Sequence, residues 1–149
     1  MTRIDFHTNI ADKVSYACRL ARKAYGARGK LVLLVDDAVQ AAALNEALWT
    51  IGETDFLPHA MAGDALAAQS PIVIMVDGDV AAFAQHAHYA HYAHYDMLVN
   101  LTRATPAQFE RFQRVFEIIS TDADDAAAGR RRYAAYKNDA YPLTHFVAS

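Results

Sequence analysis

The fold is decided at residues 31–35, which read LVLLV. Five apolar residues without alternation are typical of a strand that is covered on both faces of a sheet. Two further runs are similar: IVIMV at 72–76, and MLVNL at 97–101, in which Asn100 is the single polar residue. Strands of this kind occur in parallel sheets, because crossover helices cover both faces there. The three runs therefore predict a mostly parallel sheet.

Stretches with helical spacing separate these strands. At 11–27 the apolar residues recur every three to four positions and form one stripe, while the basic residues fall off it. A second helix is expected at 38–50, after an aspartate that can cap it. A last helix is expected at 122–138, where acids come early and bases late, as the helix dipole prefers. Further strands are predicted at 4–7, 56–62 and 115–119, and a short helix from Thr105, as N-cap, through Phe112.

The alternation of apolar strands with helices predicts an α/β fold. We expect three layers, with a mostly parallel central sheet and helices on both of its faces. The 149 residues fit a single domain, 1–149, and no linker interrupts the pattern. A hydrophobic content of 54% supports a compact core.

The charge balance excludes some classes of partner. A formal net charge of −3 argues against broad, charge-driven binding of nucleic acid, although a local basic patch is compatible with it. No run approaches the length of a membrane span. The single cysteine permits no internal disulfide, which fits a reducing compartment. We therefore expect a cytoplasmic protein that does not bind membranes.

The turns after the first two predicted strands lack the glycines of a nucleotide site. They read HTNIAD at 7–12 and VDDAVQ at 35–40. A dinucleotide site needs glycines there, because the backbone must approach a pyrophosphate closely. The sequence also has no glycine-rich loop with the lysine of a P-loop. We therefore expect a Rossmann-like fold without a nucleotide site and without a cofactor.

Carboxylates follow two of the buried strands and leave an enzymatic alternative open. Asp36 and Asp37 come after one strand, and Asp77 and Asp79 after another. If the strands are parallel neighbours, these acids share one edge of the sheet, where Mg²⁺ sites are common. The alternative is then a Mg-dependent phosphatase-like or nucleotide-processing enzyme. Helix capping and turn formation explain the same residues more simply, so we expect no metal site.

A His/Tyr/Ala tract at 85–95 gives a second metal alternative. Its histidines are His86, His88, His91 and His94. Clustered imidazoles can bind transition metals, but the spacing matches no zinc motif and no cysteine is near. A solvated connection between two strands is the simpler interpretation. Cys18 lies on the apolar stripe of the first helix, where a thiol usually behaves as a small hydrophobe.

Two aromatic residues near the second helix are unusual for a simple globule. Trp49 follows Leu48 of the core stripe and is turned about 100° away from it. Phe56 follows shortly afterwards. Both rings can pack in the core, or they can contact a partner, since tryptophan is enriched at interface hot spots.

The last helix combines cations with aromatic rings. Its cations are Arg130, Arg131, Arg132 and Lys137, and they alternate with Tyr133, Tyr136 and, just beyond the helix, Tyr141. Arg130, Tyr133 and Lys137 share one helix face. Beside the apolar strand end at Ile119, such a face suits a ligand that is both acidic and apolar, and it can also bind phosphates or single-stranded bases. A solvated basic helix end remains the plain alternative.

These segments together resemble the chi subunit of bacterial DNA polymerase III. The resemblance lies in LNEALW (44–49), FLPH (56–59), AGD (62–64), DMLVNL (96–101) and RYAAYK (132–137). The segments occur in the family's order and at similar spacing over nearly the whole chain. LNEALW with FLPH is the more specific part of the match.

The resemblance implies a non-catalytic adaptor in the clamp-loader assembly. It implies an α/β fold without a nucleotide, pairing with the psi subunit, and capture of the acidic, Phe-terminated C-terminal tail of single-stranded DNA-binding protein. Trp49 and Phe56 would contact psi. The tail pocket would be bordered by Ile119, Arg130 and Tyr133, with Arg131, Arg132 and Lys137 as further basic contacts. DNA would be reached only indirectly, and the chain alone would be a monomer. The family has lysines where this chain has Ala126 and Ala134.

Overall fold

A computed structural model describes residues 1–50, 57–61, 70–76, 96–106 and 108–148 of the chain. In these residues seven strands form one sheet, in the spatial order β3-β4-β2-β5-β6-β1-β7, and each pairing is parallel. The strands are β1 (Arg3–Ile10), β2 (Leu31–Val35), β3 (His59–Met61), β4 (Ile72–Val76), β5 (Met97–Asn100), β6 (Arg114–Ser120) and β7 (Leu143–Val147). The described α-helices are α1 (Lys13–Gly26), α2 (Ala38–Thr50) and α3 (Ala123–Asn138).

The helices cover the two faces of this sheet unequally. α1 and α2 pack on one face, where they share a core with the inward residues of β2, β4 and β6. α3 packs on the other face, where Tyr136 meets Phe6 and Val115. The predicted three-layer α/β fold with a parallel sheet is therefore confirmed. Among the helices that the structure describes, none is long and apolar enough to cross a bilayer.

Local sequence signals explain where these elements begin. β2 and β4 coincide with the predicted apolar runs, and all five residues of β2 are buried. α1 follows Asp12, whose carboxylate accepts a hydrogen bond from the Ser15 N–H. α3 follows Asp122, which accepts in the same way from Asp125 N–H. Each cap satisfies a backbone donor that the first helical turn leaves unpaired.

Two predicted features near the end of the chain differ from the structure. The helix expected from Thr105 through Phe112 is wrong, because Gln108 has a left-handed backbone at φ 57°. Only a 3-10 turn, Phe109–Arg111, follows it, and Phe112 then turns into the core. β7 was not predicted at all. Four of its five residues are exposed, so it lacks the apolar run that marks the inner strands.

Candidate functional site

A pocket of about 640 Å³ lies between α3 and the carboxyl ends of β6 and β1. In open α/β sheets, ligands commonly bind in the crevice outside the carboxyl ends of the strands. Ile119 lines the pocket from β6 and Thr8 from β1, while His145 of β7 adds another wall. Arg130 and Tyr133 line it from α3. The size is within the usual range for sites that bury a small molecule or a peptide end.

A close approach of α3 to β6 forms one wall of this pocket. The approach is close at Gly129, where a Cβ would lie 2.7 Å from Ile119 Cδ1 and 3.0 Å from its Cγ1. Glycine therefore lets the helix lie directly against Ile119. A glycine inside a helix costs about 1 kcal/mol relative to alanine, so its presence there indicates close packing. Gly129 was not part of the sequence-based prediction.

The remaining walls are aromatic and polar. The Tyr133 ring packs edge-to-face on Phe6, with ring centroids 5.1 Å apart. His145 lies 6.1 Å from the Tyr133 ring, and its Nε2 is 2.8 Å from the Thr8 hydroxyl. Arg130 is exposed at the rim. The pocket thus combines apolar walls with a cation at the opening, which suits a ligand with an apolar end and a negative charge.

A buried polar network holds α3 in place beside the pocket. Glu117 of β6 is fully buried and accepts two hydrogen bonds of 3.1 Å from Arg132 of α3. Tyr136 donates to the same carboxylate at 2.8 Å, and Asn100 donates at 2.7 Å. Burial raises the pKa of the Glu117 carboxyl, while Arg132 and the other donors act in the opposite direction. The network fixes the helix along its inner face.

A second set of contacts holds the start of α3. Asp125 accepts a hydrogen bond of 2.7 Å from the Ser120 N–H and contacts Lys13 Nζ at 3.0 Å. Burial alone would raise the pKa of Asp125, but the Ser120 and Lys13 contacts outweigh it and lower the pKa. Ser120 itself lines the pocket. The strand end and the helix start are therefore held together at the site.

The predicted tail-binding residues divide into three groups. Ile119, Arg130 and Tyr133 come together in the pocket. Arg131 and Lys137 are exposed on α3 but do not line the pocket. Arg132 faces inward with 4% of its side chain exposed and is bound to Glu117. The prediction that Arg132 contacts a ligand at the surface is therefore wrong, because its guanidinium is part of the buried network.

Trp49 lies far from this pocket in the fold. It is at the end of α2, on the other face of the sheet, and 54% of it is exposed. Its ring packs edge-to-face on His59, with centroids 5.1 Å apart, and His59 contacts Asn45 at 2.8 Å. Of the two alternatives left open for Trp49, packing in the core is therefore excluded. Phe56 lies outside the described residues.

The described residues give no support to the enzymatic alternative. Asp37 accepts a hydrogen bond of 2.8 Å from the Gln40 N–H, which is a capping contact. Within the described ranges, no group of three or more metal-ligating side chains occurs. Asp77, Asp79 and the histidine tract lie outside those ranges. Burial raises the pKa of the Cys18 thiol to about 11, so it is not an activated nucleophile.

Comparison with known proteins assigns the chain to a family. The family described as DNA polymerase III chi subunit, HolC, matches residues 1–144. No curated protein matches the chain. The family match covers all seven strands but the last residues of β7, together with the three helices described above. The chain therefore belongs to the DNA polymerase III chi subunit family and is an accessory subunit of DNA replication.

Proposed function

We propose that the chain is a non-catalytic, cytoplasmic adaptor that binds the C-terminal tail of single-stranded DNA-binding protein in the pocket beside α3. The carrying observation is that the pocket brings Ile119, Tyr133 and Arg130 into one site. An acidic peptide that ends in an apolar residue has complementary chemistry, with negative charge and an apolar end side by side. The family's place in the replication machinery makes such a tail a fitting ligand.

Each pocket residue has a distinct part in this binding. The last side chain of the tail packs against Ile119 and the ring of Tyr133, where apolar area leaves water. Arg130 meets the terminal carboxylate or a neighbouring acid, and its planar guanidinium can donate two hydrogen bonds at once. Because Arg130 is exposed, added salt weakens this contribution.

A second surface, around Trp49, binds the psi subunit in this proposal. An exposed tryptophan is a common anchor at protein interfaces. α2 and α3 lie on opposite faces of the sheet, so a partner at Trp49 and a tail beside α3 do not compete for space. The chain then tethers the clamp loader to coated single strands and raises its local concentration there.

Titration calorimetry with a tail peptide tests the pocket. Arg130→Ala should weaken binding by about 1–3 kcal/mol, the range for losing a charge-assisted hydrogen bond. Arg131→Ala is the matched control, because Arg131 is the next residue, is also exposed, and lies outside the pocket walls. A peptide without its last apolar residue should also bind more weakly. Equal affinities for the wild type and Arg130→Ala would remove the pocket from the proposal.

A separate measurement tests the Trp49 surface. Trp49→Ala should weaken association with psi, and Val39→Ala, another exposed apolar residue of α2, should leave it unchanged. Tail binding by Trp49→Ala should stay at the wild-type level, since the two surfaces are on different faces. Unchanged association of Trp49→Ala with psi would contradict this second part of the proposal.

A further inference from the structure

On the side of the sheet opposite the pocket, none of the three described α-helices covers β1 and β7. α1 packs mainly on β6 and β2, and α2 on β4 and β2, so β1 and β7 extend beyond them on that side. Side chains alternate between the two faces of a strand. Since Phe6 and Leu143 pack on the α3 side, their neighbours along the strands point to the other side. We call this surface the open face. Its strand residues are Arg3, Asp5 and His7 of β1, Arg114 and Phe116 of β6, and Thr144 and Phe146 of β7. At its edge lie Tyr16, Arg19 and Lys23 of α1.

Aromatic rings form a continuous row on the open face. His7 is at the centre, with ring centroids 5.4 Å from Tyr16, 5.6 Å from Phe116 and 5.7 Å from Phe146. His7 Nδ1 also contacts the Tyr16 hydroxyl. Phe146 lies next to His7 in the strand register, and 55% of it is exposed. A large exposed ring on a sheet face gives a flat surface on which a planar group can stack.

Cations surround this row of rings. Arg114 lies over the Phe116 ring, with its Cζ 4.5 Å from the centroid, and Arg19 lies 5.5 Å from the Tyr16 centroid. Arg3 keeps 52% of its side chain exposed and Arg114 keeps 40%. Lys23 is exposed on the same side of α1 as Arg19.

The acid on this surface does not cancel the positive charge. Asp5 is 2% exposed and is covered by contacts with Arg3, Arg114 and the Thr144 hydroxyl. The pKa of His7 is lowered, mainly because the ring is partly buried. Arg114 and Lys23 lower this pKa further, while Asp5 acts in the opposite direction. The open face thus carries four cations and one carboxylate on a chain whose formal net charge is −3. Its positive charge is local.

We propose that the open face binds single-stranded nucleic acid directly. Phe146 is the exposed ring of this row, while Phe116 is buried and His7 and Tyr16 are half-buried. An exposed ring beside cations is the combination that non-specific single-strand binders use, because bases stack on the ring while arginine and lysine contact the phosphates. Phe146 stacks a base, and Arg3, Arg19, Lys23 and Arg114 follow the backbone. An acidic peptide can use the same cations, but each nucleotide brings both a phosphate and a planar base, which matches cations that lie beside an exposed ring. The inference does not depend on the tail pocket, which is on the other face of β1 and β7.

Fluorescence anisotropy with labelled oligo(dT) of about 20 nucleotides tests this proposal. At low salt the wild-type chain should bind, and its affinity should fall as salt is added, because phosphate contacts release counterions. Phe146→Ala should lower the affinity at least about fivefold, the loss expected for one stacked base. The double variant Arg19→Ala/Lys23→Ala should lower both the affinity and the slope of its salt dependence.

Matched controls separate the open face from the rest of the surface. Val39→Ala removes a different exposed apolar side chain, and Lys30→Ala/Arg131→Ala removes two exposed cations that lie outside the open face. Both controls should bind oligo(dT) like the wild type, and circular dichroism should show that all variants are folded. Absence of oligo(dT) binding at low salt, or equal losses in the controls, would overturn the proposal. Binding of poly-glutamate with the same affinity and the same loss in Phe146→Ala would replace nucleic acid by an acidic peptide.

Discussion

Two carboxylate–arginine clusters lie on opposite faces of the neighbouring strands β6 and β1. On the α3 side, Glu117 and Arg132 have side-chain exposures of 0% and 4%. On the open face, Asp5 is also buried, but its partners Arg3 and Arg114 reach solvent. A buried pair is costly to break, because the surviving charge is left without water, whereas an exposed arginine loses little. The same pairing therefore fixes a helix on one face and leaves cations at the surface on the other.

The largest expected effect is on the buried cluster. Glu117→Ala should lower the free energy of unfolding by about 3–5 kcal/mol, because Arg132 would remain buried without its counter-charge. Urea denaturation of the variant measures this loss. Glu110→Ala, at an exposed glutamate near the same sheet, is the control and should change little. If both variants lost the same small amount, the buried pair would have no special role.

The two carboxylates should also respond to pH in opposite directions. Burial alone would raise the pKa of Asp5, but Thr144 and the two arginines outweigh it and lower the pKa below 3.8. The contribution of Asp5 to stability is then complete above that value and is lost as the pH falls through the lowered pKa. Glu117 has a raised pKa, so its ionisation opposes folding as the pH rises above 4.5.

Asp5→Asn isolates the Asp5 contribution. At pH 7 the variant should be less stable by about 1–3 kcal/mol, the range for a lost charge-assisted hydrogen bond. The difference from the wild type should shrink in denaturation curves recorded at progressively lower pH, because wild-type Asp5 then becomes protonated too. A difference that stayed constant down to the acid limit would show that the charge of Asp5 is not what stabilises the cluster.

The smallest effect is expected at the exposed partner. Arg3→Ala should change the free energy of unfolding by less than about 1 kcal/mol, since its ion pair is partly solvated and Arg114 still contacts Asp5. Arg132→Ala, the same substitution at the buried partner, should cost several kcal/mol in the same denaturation experiment. Similar losses for both arginines would remove the distinction between the clusters.

The sequence predicted the inner strands better than the outer ones. β2 and β4 were placed to the residue, because a strand buried on both faces must be apolar throughout. β7 was missed because an edge strand with four exposed residues carries no such pattern. The turn at Gln108 was missed because the packing of Phe112 and the partly buried Phe109, which depends on the tertiary fold, outweighs the helix signal at Thr105 and Pro106.

The residues of the candidate site were also predicted only in part. Ile119, Arg130 and Tyr133 were predicted as one site, and the structure places them around one pocket. Arg132 was assigned to the surface with its two neighbours, although three successive helix residues span about 200° of the helix surface and need not all be exposed. The signal for its true place was Glu117, a charged residue within the apolar strand sequence VFEII. A buried charge needs a partner, and only the fold identifies which arginine supplies it.

The position of β1 has a consequence for how the protein is made. β1 is the first strand in the chain, yet its neighbours in the sheet are β6 and β7, and Asp5 meets Thr144 across 139 residues. A growing chain therefore holds β1 without its partners until β6 and β7 have been synthesised, and closing so long a loop slows folding. The pocket and the open face both include β1 and β7. Neither surface can assemble before β7 has been synthesised, so a partner can recognise this subunit only after that point.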